Sequence, residues 1–126
     1  MDENQYHFRP SQNGFYAWRI SKLIELTKGV TPTEIPLDEI VELDEPYWFG
    51  APGNIPTCRL IAGHAEQIEE VELEYPIIMC PDKRIMDGMH RVAKALILGK
   101  QSIAAYILPS MPEPDYEDVD PNDFED

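Results

Sequence analysis

Five consecutive residues, Asp87-Gly88-Met89-His90-Arg91, gather the groups in this chain best suited to chemistry. A glycine turn that opens a helix presents backbone N–H groups with no partner inside the helix, at the positive end of its dipole. Gly88 permits a tight turn and a close approach by a ligand. Gly88, Met89, His90 and Arg91 therefore make a candidate phosphate- or carboxylate-binding turn. Basic side chains in a first helical turn oppose the dipole by roughly a few tenths of a kcal/mol, a cost that a bound anion would offset. Asp87 admits three roles: a ligand for Mg²⁺, a base toward a hydroxyl, or a plain helix cap. Asp87 and His90 are the candidate catalytic pair, and Asp87 is the candidate metal ligand.

Such a turn needs a strand before it and a half-buried helix after it. Tyr75 to Cys80 reads as a buried strand, Pro81-Asp82-Lys83 as a turn and Arg84-Ile85-Met86 as a short returning strand. Met89 to Leu98 reads as a helix with Val92, Ala93, Leu96 and Ile97 inward, stopped by Gly99, and Ser102 to Leu108 as a final strand. Upstream, Phe15 to Lys28 has the broad apolar stripe of a helix, in Trp18, Ile20, Leu23, Ile24 and Leu26. Thr33 to Pro36 suggests a short strand, and Leu37 to Leu43 a turn or short helical piece. Pro46 to Pro56 is a loop whose Tyr47, Trp48 and Phe49 either pack over the core or line a pocket. Thr57 can cap a second helix running to about Val71, with Leu60, Ile61, His64, Ile68 and Val71 on one side. His64 reads there as a satisfied boundary histidine. The pattern is α+β: a small mixed β-sheet with packed helices.

The chain has 126 residues, one domain's worth, and its 43% hydrophobic content suits a single modest core. Its 24 acidic and 10 basic residues give a formal charge of −14, so direct DNA binding is not expected. No apolar run approaches a membrane helix, and no signal peptide is visible, so a soluble cytoplasmic protein with no membrane contact is expected. The segment 75–108 alone carries a clear basic surplus, five basic groups against two acidic, and it contains the motif. Residues 109–126 hold eight carboxylates, four prolines and no basic group, which reads as a disordered acidic tail able to contact a protein partner. The expected division is a flexible segment 1–13, a single domain 14–108 and the tail 109–126. Cys58 and Cys80 read as two buried, reduced thiols.

Tyr75 to Leu108, with Asp-Gly-Met-His-Arg between a strand and an Ala- and Leu-rich helix, resembles the ParB/sulfiredoxin superfamily in its ParB N-terminal-like domain, often labelled ParB-like nuclease. The likeness extends to Ile35-Pro36-Leu37 and the 57–71 helix, about three fifths of the chain. It implies a ParB/sulfiredoxin-like fold. In ParB proteins the corresponding turn holds the triphosphate of CTP; Gly88 and Arg91 match that box, while Met89 and His90 depart from it. Sulfiredoxin has a nucleophilic Cys where Met89 stands, so sulfinic-acid reduction is not expected. The superfamily's free-serine kinases carry Asp-Gly-His-His-Arg, the nearest pattern, matched by Asp87, Gly88, His90 and Arg91. Those kinases also use an upstream Glu, for which Glu34, Glu39 and Glu42 are the candidates. A DNA-reading helix-turn-helix is not expected in the residues that follow Leu108.

The resemblance and the turn together imply a phosphate-binding protein that takes a nucleotide (ATP, ADP or CTP) with Mg²⁺ for phosphoryl transfer or hydrolysis. The alternative is a non-catalytic ligand- or partner-binding module with an acidic interaction tail. A nuclease ranks last, because the acidic surface would repel its substrate.

Overall fold

The computed structural model describes residues 5–49 and 55–124. The parts of the expectations that fall on residues 1–4, 50–54 and 125–126 lie outside the described residues. The fold is α+β and contains two small sheets. The strands are β1 (Tyr6–Pro10), β2 (Phe15–Arg19), β3 (Thr33–Pro36), β4 (Ile77–Met79), β5 (Ile85–Asp87), β6 (Ser102–Ile107) and β7 (Tyr116–Val119); the helices are α1 (Ile20–Leu26), α2 (Cys58–Glu70) and α3 (Met89–Ile97). One sheet has the order β1-β2-β7 with antiparallel pairs. The other has the order β3-β6-β4-β5 and is mixed, since β4 runs parallel to β6 while the outer pairs are antiparallel.

The run Ile77-Ile78-Met79-Cys80 explains the layering. Successive side chains of a strand point to opposite faces. Ile77 and Met79 enter a core with Ile35, Leu37, Ile40, Ile85, Met89, Val92 and Ile103. Ile78 and Cys80 enter a second core with Trp18, Ile20, Leu23, Met86 and Leu108. A strand covered on both faces has no polar alternation, which is why this segment reads as one apolar run. The α3 helix lies on the first face and buries Met89, Val92 and Ala95. Its inward face is thus rotated from the expected one: Leu96 and Ile97 are exposed, because the residues meeting the sheet are spaced from Met89 rather than Val92.

Four further expectations are corrected. Phe15 to Lys28 is not one helix: Phe15–Arg19 is β2, and α1 begins at Ile20. Its aromatic residues favour strand pairing, and both neighbours of β2 supply partners that the apolar stripe alone does not reveal. The segment 1–13 contributes β1, which pairs with β2 from Tyr6↔Arg19 to Pro10↔Phe15. The segment 109–126 is not a loose tail over its described part. Its β7 pairs with β2, Trp18 Nε1 donates to Pro112 O at 2.9 Å, and Asp118 Oδ1 accepts from Ser11 Oγ at 2.7 Å. Gly14 allows this approach, since a Cβ there would lie 2.9 Å from the Asp118 carbonyl carbon. Cys58 is exposed at the start of α2, and only Cys80 is buried.

The second helix forms as expected, with Thr57 Oγ1 accepting from Leu60 N at 3.2 Å. Yet it buries no residue, and Leu60 and Ile61 are exposed. It is tied to α3 by polar contacts: Lys94 Nζ donates to Glu69 O at 2.9 Å and to Val71 O at 2.7 Å, which satisfies carbonyls at the helix end. Among the described residues no helix is long and apolar enough to cross a membrane.

Candidate functional site

The Asp87-Gly88 turn lies at the end of β5, where Asp87 pairs with Ile78, and opens α3. Gly88 is the N-cap of that helix with φ +114°, and no side chain caps it. A Cβ at Gly88 would come within 2.6 Å of Ile77 Cγ2 and 2.8 Å of Arg91 Nη2, so both the conformation and the space require glycine. Asp87 is not the helix cap. Its Oδ2 accepts from Arg91 Nη2 at 3.2 Å, one helical turn on, and Arg91 Nη2 also reaches Pro76 O at 3.4 Å. Burial pushes the Asp87 carboxyl above its ordinary range, and the Arg91 guanidinium works against that rise. Arg91 Nε is buried and has no partner among the described residues. An unsatisfied buried donor of this kind is costly and calls for an acceptor.

Asp87 to Arg91 line a cavity of about 530 Å³ whose other walls include His7, Tyr47, Trp48, Gln67 and Glu70. His90 is not free to act as a cationic donor. Its Nε2 lies 2.8 Å from His64 Nδ1, and the two rings are only 20° from parallel. Trp48 stacks on both, with centroids 4.3 Å from His64 and 4.6 Å from His90, so the indole covers a hydrogen-bonded imidazole pair. Burial first, then His64 and Arg91, lowers the His90 pKa to about 4, and burial also lowers that of His64. Both rings are therefore neutral at pH 7, and what His90 offers an anion is its place in the first helical turn. Met89 is buried in the core and likewise contributes through its backbone position. The His64–His90 contact joins residues 26 apart on two helices, and no local spacing signals it.

Of the three upstream glutamates, Glu42 alone comes to β5, though it does not line the cavity at the turn. Glu34 is on β3, at the opposite edge of the four-stranded sheet from β5, and accepts from Ser102 Oγ at 2.7 Å. Glu39 is exposed in the 3-10 turn Leu37–Glu39. Glu42 lies in the next 3-10 turn, Val41–Asp44, with 2% of its surface exposed. Its Oε2 accepts from Ile85 N at 2.7 Å and pairs with Arg84 Nε at 3.1 Å, while Oε1 is buried without a partner among the described residues. Tyr47 is the residue whose role the sequence did not reveal. Burial, then Glu42 and Asp87, pushes its phenol up to about 12, so it remains protonated where it lines the cavity. The apolar loop aromatics hint at a pocket wall, but nothing local places that hydroxyl.

Among the described residues no group of three or more His, Cys, Asp or Glu is arranged to hold a metal ion. Mg²⁺ commonly takes one or two protein carboxylates and completes its shell with phosphate oxygens and water. Asp87 fits that role as a single ligand, since its bond from Arg91 engages only Oδ2. No protein-family model, curated protein or solved structure matches the chain.

Proposed function

We propose that this protein binds the phosphates of a nucleotide at the Gly88–Arg91 turn and, with Mg²⁺, carries out phosphoryl transfer or hydrolysis. One observation carries the reading: a single cavity is floored by an uncapped helix start at Gly88 and by Arg91, whose Nε lacks any acceptor. A phosphate oxygen would answer both deficits at once. The Asp-Gly-x-His-Arg turn between a strand of a mixed sheet and a helix also supports a ParB/sulfiredoxin-like assignment. Mg²⁺, held by Asp87, would neutralise charge on the phosphate oxygens. In the other role, with no metal on Asp87, an anion that draws Arg91 toward itself would loosen the Arg91–Asp87 pair, raise the basicity of Asp87 and fit it to take a proton from water or a hydroxyl. Tyr47 would donate to the developing charge.

The test is calorimetry and thermal shift with ATP, ADP, CTP and GTP, with and without Mg²⁺. A nucleotide at 100 times its Kd stabilises the fold by about 2.7 kcal/mol, readily seen in melting. Arg91→Lys keeps the charge but loses the guanidinium fork, and should weaken binding at least about tenfold. Asp87→Asn should retain binding and lose most phosphate release or transfer. Absence of any nucleotide-dependent shift in the unaltered chain would defeat the reading.

A further inference from the structure

A second cavity, of about 830 Å³, adjoins the first and shares Tyr6, His7 and Tyr47 with it. Its charged walls are Arg9, Arg84, Glu42 and Glu45. Arg84 is fully engaged: it pairs with Glu42 and grips both oxygens of Glu45, at 2.7 and 3.2 Å. Arg9 is not. In a chain with 24 acidic residues, it has no carboxylate partner among the described residues. Its Nε donates to His7 Nε2 at 2.9 Å, which fixes a neutral His7. Its two terminal nitrogens make only long contacts, 3.5 Å to Ile85 O and 3.8–3.9 Å to Cys80 Sγ. A guanidinium satisfied by such contacts can exchange them for two short bonds to a planar anion.

We infer that this second cavity is a binding site for a small organic monocarboxylate, held in bidentate fashion by Arg9. The rest of the lining selects within the anions. Glu42 and Glu45 oppose a second negative charge, which disfavours phosphate and dicarboxylates. Phe8, Pro10, Phe15 and Pro46 supply apolar wall for a hydrocarbon body. The site stands independently of nucleotide binding, because Arg9 lines only the second cavity and Arg91 only the first. With both filled, Tyr47 would stand between the two ligands.

The test is an NMR titration of the full chain with benzoate, benzamide and inorganic phosphate. Arg9 lies 5.8 Å from the Trp18 ring and contacts Ile85, so the Trp18 indole and Ile85 amide signals report on the site. Benzoate should shift them saturably, while benzamide and phosphate at the same concentration should not. Arg9→Gln should weaken benzoate binding at least about tenfold, and Arg91→Lys should change it less than twofold. An equal response to benzamide or phosphate, or no saturable response to benzoate, overturns the inference. So does a folded Arg9→Gln variant that binds as well as the unaltered chain. Should that variant fail to fold, the contrast between benzoate and benzamide decides alone. N-acetylphenylalanine against a tetrapeptide ending in phenylalanine separates a free small acid from a peptide terminus, and tighter binding of the peptide overturns the small-molecule assignment.

Discussion

At the scale of single residues, this molecule keeps several ionisable groups away from their ordinary behaviour by burial. His7 sits 9% exposed on β1, accepts from Arg9 and has its pKa lowered to about 3 by burial, with Arg9 adding to the effect. The unfolded chain takes up a proton at this residue near pH 6.5, whereas the folded chain refuses it until far lower pH. Below pH 6.5 the unfolded state therefore binds more protons, and stability falls as pH falls toward 3. The contribution is present in full above pH 6.5 and is lost at up to about 1.4 kcal/mol per pH unit. Urea midpoints measured from pH 7 to pH 4 should decline, and the decline should be shallower in His7→Gln. An equal slope in the two proteins would show that His7 accepts its proton in the folded state. His90 adds to the effect with the same sign, its pKa lowered to about 4. Asp87 acts in the opposite sense, because burial raises its pKa.

At the scale of elements, β7 matters more than its four residues suggest. It completes the sheet beside β2, and the chain leading to it accepts the Trp18 indole N–H at Pro112. Asp115 Oδ2 accepts from Arg19 N at 2.8 Å, and Asp115 Oδ1 pairs with Lys22 at 3.3 Å. Of the carboxylates that look like a solvating tail, Asp115 is thus engaged by donors of β2 and α1, and Asp118 by Ser11 and Asn13 in the turn between β1 and β2. Truncation before Pro112 would leave Trp18, 3% exposed, without its acceptor and partly uncovered. Together with the lost strand pairing, this should cost about 3 kcal/mol or more. Differential scanning calorimetry should then show a melting temperature lower by about 10 °C or more. A truncated chain that melts within a few degrees of the full one would mean that β7 is peripheral. By contrast α2 buries no residue; Lys94 and the imidazole pair hold it to α3, and its Gln67 and Glu70 line the first cavity.

At the scale of the whole molecule, β4 joins two cores, one on each of its faces. Such a strand cannot lose one layer without exposing the other, so unfolding should be a single event. The two cysteines test this directly. Cys58 should react at once with a thiol reagent, whereas Cys80, 1% exposed at the end of β4, should react only through global opening. The urea dependence of its labelling should match that of equilibrium unfolding; a shallower dependence would reveal separate opening of the β1-β2-β7 layer. The sequence by itself determined the segment Tyr75 to Leu108: its strand, turn, hairpin return, helix and final strand follow from local pattern, because each has its own period and its own glycine or proline stops. It also determined which residues stand at the helix start, since Gly88 is required there by backbone conformation. Tertiary structure alone decided the rest. Partners for β2 come from both ends of the chain, and no window around Phe15 contains them. Glu42, Tyr47 and Arg9 reach the two cavities, and His64 reaches His90, only through long-range packing. The same packing decides which side chains lose water, and so which carry a perturbed charge, because desolvation depends on the assembled surroundings rather than on residue type.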